Sequence, residues 1–184
     1  MAPKIQNFTT RLAGWWTPHH TILNEEGDPL GILKVHRNWR GMIMGGVYLP
    51  SKGEKLIIRR DPGLQRAQFS LWTDTREWLG SSLRPRLIQR RIDVWSGVKP
   101  FRIVPKSGFG QGWRIIASKT GEVATIKQPL LPRGSKWQIT RKMDFELMLF
   151  CYFLGCLSPS ESFLPSAMDA SSSAQKPKAT SASS

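Results

Sequence analysis

The sequence predicts a mainly β fold, an antiparallel closed β-barrel enclosing one hydrophobic C-terminal α-helix. Three observations predict it. Three segments repeat a short apolar strand, a polar turn with Gly and an acid, and a second strand closing in a basic residue. Further runs alternate apolar with polar residues, as in Ala67-Gln68-Phe69-Ser70-Leu71 and Phe101-Arg102-Ile103, the period of a strand with one face in and one face out. One stretch, Leu147 to Leu157, is apolar at every position except Gly155.

In chain order, the repeated hairpins occupy residues 20–34, 47–59 and 113–127, with Gly27, Gly53 and Gly121 where the chain reverses. Glycine takes positive φ there without a steric cost, and the flanking β-branched and aromatic residues suit a half-buried pleated surface. Between and after the hairpins, residues 67–73, 87–95, 101–104 and 136–140 read as strands. Trp78 reads as part of a short helical turn. This gives roughly ten strands, enough to close a barrel and remove exposed edges. Residues 143–157 read as a helix, because as a strand they would run ~50 Å and as a helix only ~22 Å. Asp144 is the expected N-cap, with Glu146 in the first turn. A helix apolar on all sides must be buried all round. A membrane span takes ~20 apolar residues, more than this stretch offers. Enclosure by the barrel is therefore the expected solution, with a shallow or oligomer-assisted membrane segment as the alternative.

Lys and Arg number 27 against 13 acids, a net charge of +14 in 184 residues. The excess disfavours basic partners and favours polyanions. Residues 158–184 are rich in Ser, Ala, Pro and Lys, too poor in apolar area to offset chain entropy, and are expected to be a disordered tail. Their charges cancel, Lys176 and Lys178 against Glu161 and Asp169, so the whole excess falls on a domain of residues 1–157. Two cysteines, Cys151 and Cys156, lie together in the apolar stretch, which excludes a disulfide scaffold and fits a reducing compartment. The N-terminus carries no signal-type apolar region, so a cytoplasmic location is expected, with a peripheral membrane or nuclear site as variants.

A run of turn-punctuated hairpins ending in one hydrophobic helix resembles the tubby-like superfamily, which includes tubby domains, LURP-one-related proteins and phospholipid scramblases. Residues 112–128, beginning Gly112-Trp113-Arg114, look like the penultimate hairpin of scramblase-like and LURP-one-like domains. Residues 136–154, from Lys136-Trp137 to Phe153-Leu154, look like the last strand leading into the terminal helix. Over residues 18–60 the likeness rests on hairpin pattern, and residues 64–100 do not align. The resemblance implies a barrel around a central helix, and through the basic tubby domains it implies phosphoinositide binding. Scramblases carry a Cys-rich acylation segment and an acidic calcium stretch that this chain lacks, so calcium-triggered lipid scrambling is not implied.

The densest basic segment holds Arg84, Arg86, Arg90, Arg91, Lys99 and Arg102 against Asp93. Arginine binds phosphate through two parallel hydrogen bonds, which suits headgroups or a nucleic-acid backbone. A solvated strand face with basic residues at an edge is the bland reading. Lys55, Arg59 and Arg60, with Arg66 nearby, form a second group, and Arg141-Lys142 flank the helix. Of eight tryptophans most are expected in the core, with Trp15, Trp16 and Trp39 as surface anchors. His19, His20 and His36 offer poor metal geometry, since adjacent residues of a strand point to opposite faces. Cys151 and Cys156 read as buried, inert thiols. Gly108-Phe109-Gly110-Gln111-Gly112 reads as a flexible hairpin loop, because a strand and not a helix follows it. No nucleophile, base and acid have the spacing of a catalytic set.

The expectation is thus a non-enzymatic, monomeric binding module without cofactor or metal. Its basic barrel face would bind anionic phospholipid headgroups, of phosphoinositide kind, at a membrane surface. The alternative is a nucleic-acid-binding protein using Arg84–Arg102 and aromatic residues.

Overall fold

A computed structural model of the chain describes residues 5–14, 19–61, 68–83, 91–97, 99–106, 112–128 and 134–157. The strands among them are β1 (Gln6–Ala13), β2 (His19–Leu23), β3 (Pro29–Arg37), β4 (Ile43–Pro50), β5 (Leu56–Arg60), β6 (Phe69–Thr73), β7 (Trp78–Leu83), β8 (Ile92–Ser96), β9 (Lys99–Pro105), β10 (Gly112–Ala117), β11 (Gly121–Lys127) and β12 (Lys136–Ile139). Each pairs antiparallel with the next, and β1 also pairs with β12, which closes the barrel. The three repeated hairpins are β2–β3, β4–β5 and β10–β11.

Helix α1 (Phe145–Tyr152) follows β12 and continues as a π-helical turn over Phe153–Leu157. It lies inside the barrel. The hydroxyls of Tyr152 and Thr10 of β1 are 3.4 Å apart, and Tyr152 also meets His20 of β2. The Tyr152 ring packs 4.7 Å from Trp137 of β12, and Phe153 packs 5.2 Å from Phe69 of β6. Phe153 also approaches Gly46 of β4, Leu147 approaches Gly80 of β7, and Gly155 faces Trp113 of β10. These strands are spread around the ring, so only a helix within it can touch them all. Met148 to Leu154 are consequently almost free of solvent contact, and a fully buried Leu or Phe contributes ~1.5–3 kcal/mol. Close approach explains two glycines. A Cβ at Gly155 would stand 3.0 Å from the Trp113 ring, and one at Gly46 would stand 2.9 Å from the Lys34 carbonyl oxygen and 3.3 Å from Phe153.

Several expectations are corrected. There are twelve strands among the described residues, not ten: β1 was not foreseen, and Trp78 opens strand β7 instead of a helical turn. Helix α1 begins at Phe145, two residues later than read. Asp144 holds the N-cap position in extended conformation, but its side chain makes no capping hydrogen bond. Of the tryptophans, Trp113 and Trp137 are core residues, whereas Trp78 and Trp95 are exposed on the outer wall. Trp15, Trp16, the 108–111 loop and the tail of residues 158–184 lie outside the described residues.

Candidate functional site

Because every strand runs opposite to its neighbours, successive turns alternate between the two ends of the barrel. The turns after β2, β4, β6, β8 and β10, and the connection from β12 into α1, share one end. Of the eleven acids among the described residues, nine lie there: Glu25, Glu26, Asp28, Glu54, Asp74, Glu77, Glu122, Asp144 and Glu146. The other two are Asp61 and Asp93. The opposite end collects Arg11, Arg37, Arg40, Arg59, Arg60, Arg91 and Lys106. The first end also carries Lys52, Lys55, Arg76, Lys99, Lys119, Arg141 and Lys142, so the barrel has one rim with a small acidic excess, where α1 starts, and one clearly basic rim, where the π-helical turn ends; they are called the acidic and the basic rim below. Short β12 blurs the division locally, since its stagger sets Lys127 and Lys136 level with Thr9.

The basic rim is well built around the β3–β4 turn. Asn38 Oδ1 accepts hydrogen bonds from the amides of Arg40 at 3.0 Å and Met42 at 2.9 Å. Arg37 donates to the Gly41 carbonyl at 2.9 Å, and Gly41 takes φ +79° to close the turn. This holds Trp39 outward, 84% exposed, with the Arg40 guanidinium 4.5 Å over its ring. Leu12, Met44 and Leu83 are further large apolar side chains exposed at the same end.

The predicted cationic residues divide. Arg59 and Arg60 close β5 and Arg91 precedes β8, all at the basic rim; Arg60 also donates to the Ile43 carbonyl at 3.2 Å. Arg102 lies mid-strand on the outer wall and joins Arg91 through Asp93. Arg91 grips both carboxylate oxygens at 2.9 Å, and Arg102 Nε stands 3.3 Å from Oδ1. With Trp95 they line a groove of about 460 Å3. Lys55 belongs to the acidic rim, where it pairs with Asp74 at 2.8 Å. Lys99 opens β9 at that same end, its side chain outside the described residues. Arg84, Arg86 and Arg90 lie outside them too. Arg11, Arg37, Arg40 and Lys106 were missed by sequence reasoning. The signal for them was turn parity: acids, mixed with Lys and Arg, fall in one set of alternate turns, while basic residues stand almost unopposed beside the other.

At the acidic rim a cavity of about 610 Å3 opens beside the start of α1, walled by Phe8, Leu30, Tyr48, Leu56, Leu79, Phe145 and Leu147. Its charged lining is Lys52, Glu54, Asp144 and Glu146. Burial, and then the nearby Glu146 carboxylate, push the Tyr48 phenol up to about 12. Burial raises both thiols of Cys151 and Cys156 far above their ordinary value, which keeps them unreactive. Among the described residues no group of His, Cys, Asp and Glu has the arrangement to hold a metal ion, and no helix is long and apolar enough to cross a membrane.

No family model and no curated protein matches the chain. The barrel is similar to the X-ray structure of the protein AT5G01750 from Arabidopsis thaliana, at 16% identity and a TM-score of 0.55, over 81% of this chain and 88% of that one. That likeness is one of fold.

Proposed function

We propose that the chain is a non-enzymatic binding module whose basic rim docks on anionic phospholipids, phosphoinositides included, at a membrane surface. The observation that carries this reading is the segregation of charge: seven described cationic residues against Asp61 and Asp93 at one rim, around an exposed Trp39. A cation near an anionic leaflet contributes ~1 kcal/mol, so several together give firm attachment. Trp39, Leu12, Met44 and Leu83 supply the apolar tips that enter the headgroup region, where Trp is at home. Helix α1 points its negative end at this rim, which favours the cations gathered there.

The nucleic-acid alternative draws less support. Of the segment Arg84–Arg102 on which it rests, Arg91 and Arg102 both have their guanidinium groups engaged with Asp93, and Arg84, Arg86 and Arg90 lie outside the described residues.

The test is co-sedimentation with phosphatidylcholine vesicles, with and without phosphatidylserine and a phosphoinositide, at ~0.1 M salt. Binding is expected only to the anionic vesicles. Arg40→Glu with Arg59→Glu should weaken it about tenfold or more, while Lys52→Glu at the other rim should leave it within about twofold. No binding, equal loss from both rims, or capture of an RNA probe in place of vesicles would overturn the proposal.

A further inference from the structure

The cavity beside the start of α1 lies at the pole of the barrel opposite the proposed membrane face, and the membrane reading makes no use of it. Its volume of about 610 Å3 falls in the range of small-molecule sites, ~300–1,000 Å3. Its walls come from two sources, the barrel (Leu30, Tyr48, Leu56, Leu79) and the first turn of the helix (Phe145, Leu147). Both are anchored in the core, so the hollow is preformed.

The charges at its lip set what it can hold. Lys52 is opposed by Glu54, Asp144 and Glu146, leaving two net negative charges in a chain of net charge +14. Glu54 is committed to structure, accepting from the Thr75 amide at 2.9 Å and the Thr75 hydroxyl at 2.8 Å. Asp144 leaves its capping role unfilled; its carbonyl accepts the Met148 amide at 3.1 Å, but neither its carboxylate nor that of Glu146 has a hydrogen bond or ion pair among the described residues. The Tyr48 hydroxyl stays protonated at all ordinary pH values and adds a neutral polar contact. An anionic ligand would meet unscreened like charge; a wholly apolar one would leave two carboxylates facing its surface.

We infer that this cavity binds small amphipathic cations, molecules with an apolar body and a protonated amine head. The body lies against Leu56, Leu79 and Leu147, and the ammonium group meets Asp144 and Glu146.

The probe is dodecylammonium, compared with dodecanol and dodecanoate as monomers below their aggregation limits, titrated calorimetrically into the full chain. One-to-one saturable binding of the amine is expected, with the alcohol about tenfold weaker or more. Glu146→Gln and Asp144→Asn should each weaken the amine about fivefold and leave the alcohol unchanged. Leu79→Trp, which fills the hollow, should abolish both. Dodecanoate attracted to the basic rim is recognised because it survives Leu79→Trp. Absence of amine binding, amine binding that survives Leu79→Trp, or amine affinity indifferent to both carboxamide variants would each overturn the inference.

Discussion

Inside the barrel, His20 Nδ1 stands 3.0 Å from the Tyr152 hydroxyl, which in turn meets the Thr10 hydroxyl at 3.4 Å; Thr10 accepts the Ser135 amide at 2.8 Å. Burial first, then the charges of His19 and Arg37, lower the His20 pKa to about 4. The folded protein thus holds a neutral imidazole, while the unfolded chain takes up a proton below its ordinary value of about 6.5. Between those limits the unfolded state binds more protons, so stability falls as pH drops from about 6.5 towards 4. Above that window the group contributes nothing. The loss reaches at most about 3 kcal/mol, less for the part of the ring that water touches. Urea unfolding at neutral and mildly acidic pH should show a shallower acid limb for His20→Gln; parallel limbs would contradict this. The sequence alone showed His20 only as one of an adjacent pair. What gives it a role is Tyr152, brought to it from the far end of the chain, and no local pattern announces such a pairing. The exposure of Trp39, by contrast, was legible, because Asn38 and Gly41 around it are turn residues.

At the level of elements, α1 and the repeated hairpins were plain in the sequence because their apolar residues are dense and their turns carry Gly. The two strands that escaped notice share a physical cause. In β1 the one fully buried position is Thr10, beside a partly buried Phe8, and in β7 the fully buried positions are Gly80 and Ser82, beside a partly buried Leu79. Small or polar residues stand there because the helix comes close, through Tyr152 and Leu147, so the apolar alternation that marks a strand is missing. Missing β7 also hid the alternation of turns, and with it the separation of charge between the rims. The acids of turns 24–28, 51–55 and 118–122 and the basic residues Lys34, Arg59 and Lys127 on the returning strands are visible in each hairpin separately, while their common direction needs the full strand count. The helix is the part of the core on which strands from all round the ring converge. Leu149→Ala, at a fully buried position, should cost ~2–5 kcal/mol, and Gly155→Ala, forced against the Trp113 ring, ~1–3 kcal/mol. Chemical denaturation measures both. A cost near zero for Leu149→Ala would mean that α1 is not enclosed.

On the scale of the whole molecule, charge is uneven along the barrel axis: one rim is strongly basic, and the other is nearly balanced with a small acidic excess. The positive end of α1 sits among the acids and its negative end among the arginines, an arrangement in which each favours the other. An anionic surface would attract the basic rim far more than the other, and so orient the molecule as well as hold it. Nitroxide labels at Met44→Cys, on the basic rim, and Lys52→Cys, on the acidic rim, report that orientation on anionic vesicles; the native cysteines are buried or nearly so. The expected result is a Met44 label shielded from a water-soluble relaxant and reached by oxygen dissolved in lipid, with the Lys52 label still fully in water. Both labels remaining in water on bound protein, or the Lys52 label entering the lipid, would contradict the oriented barrel.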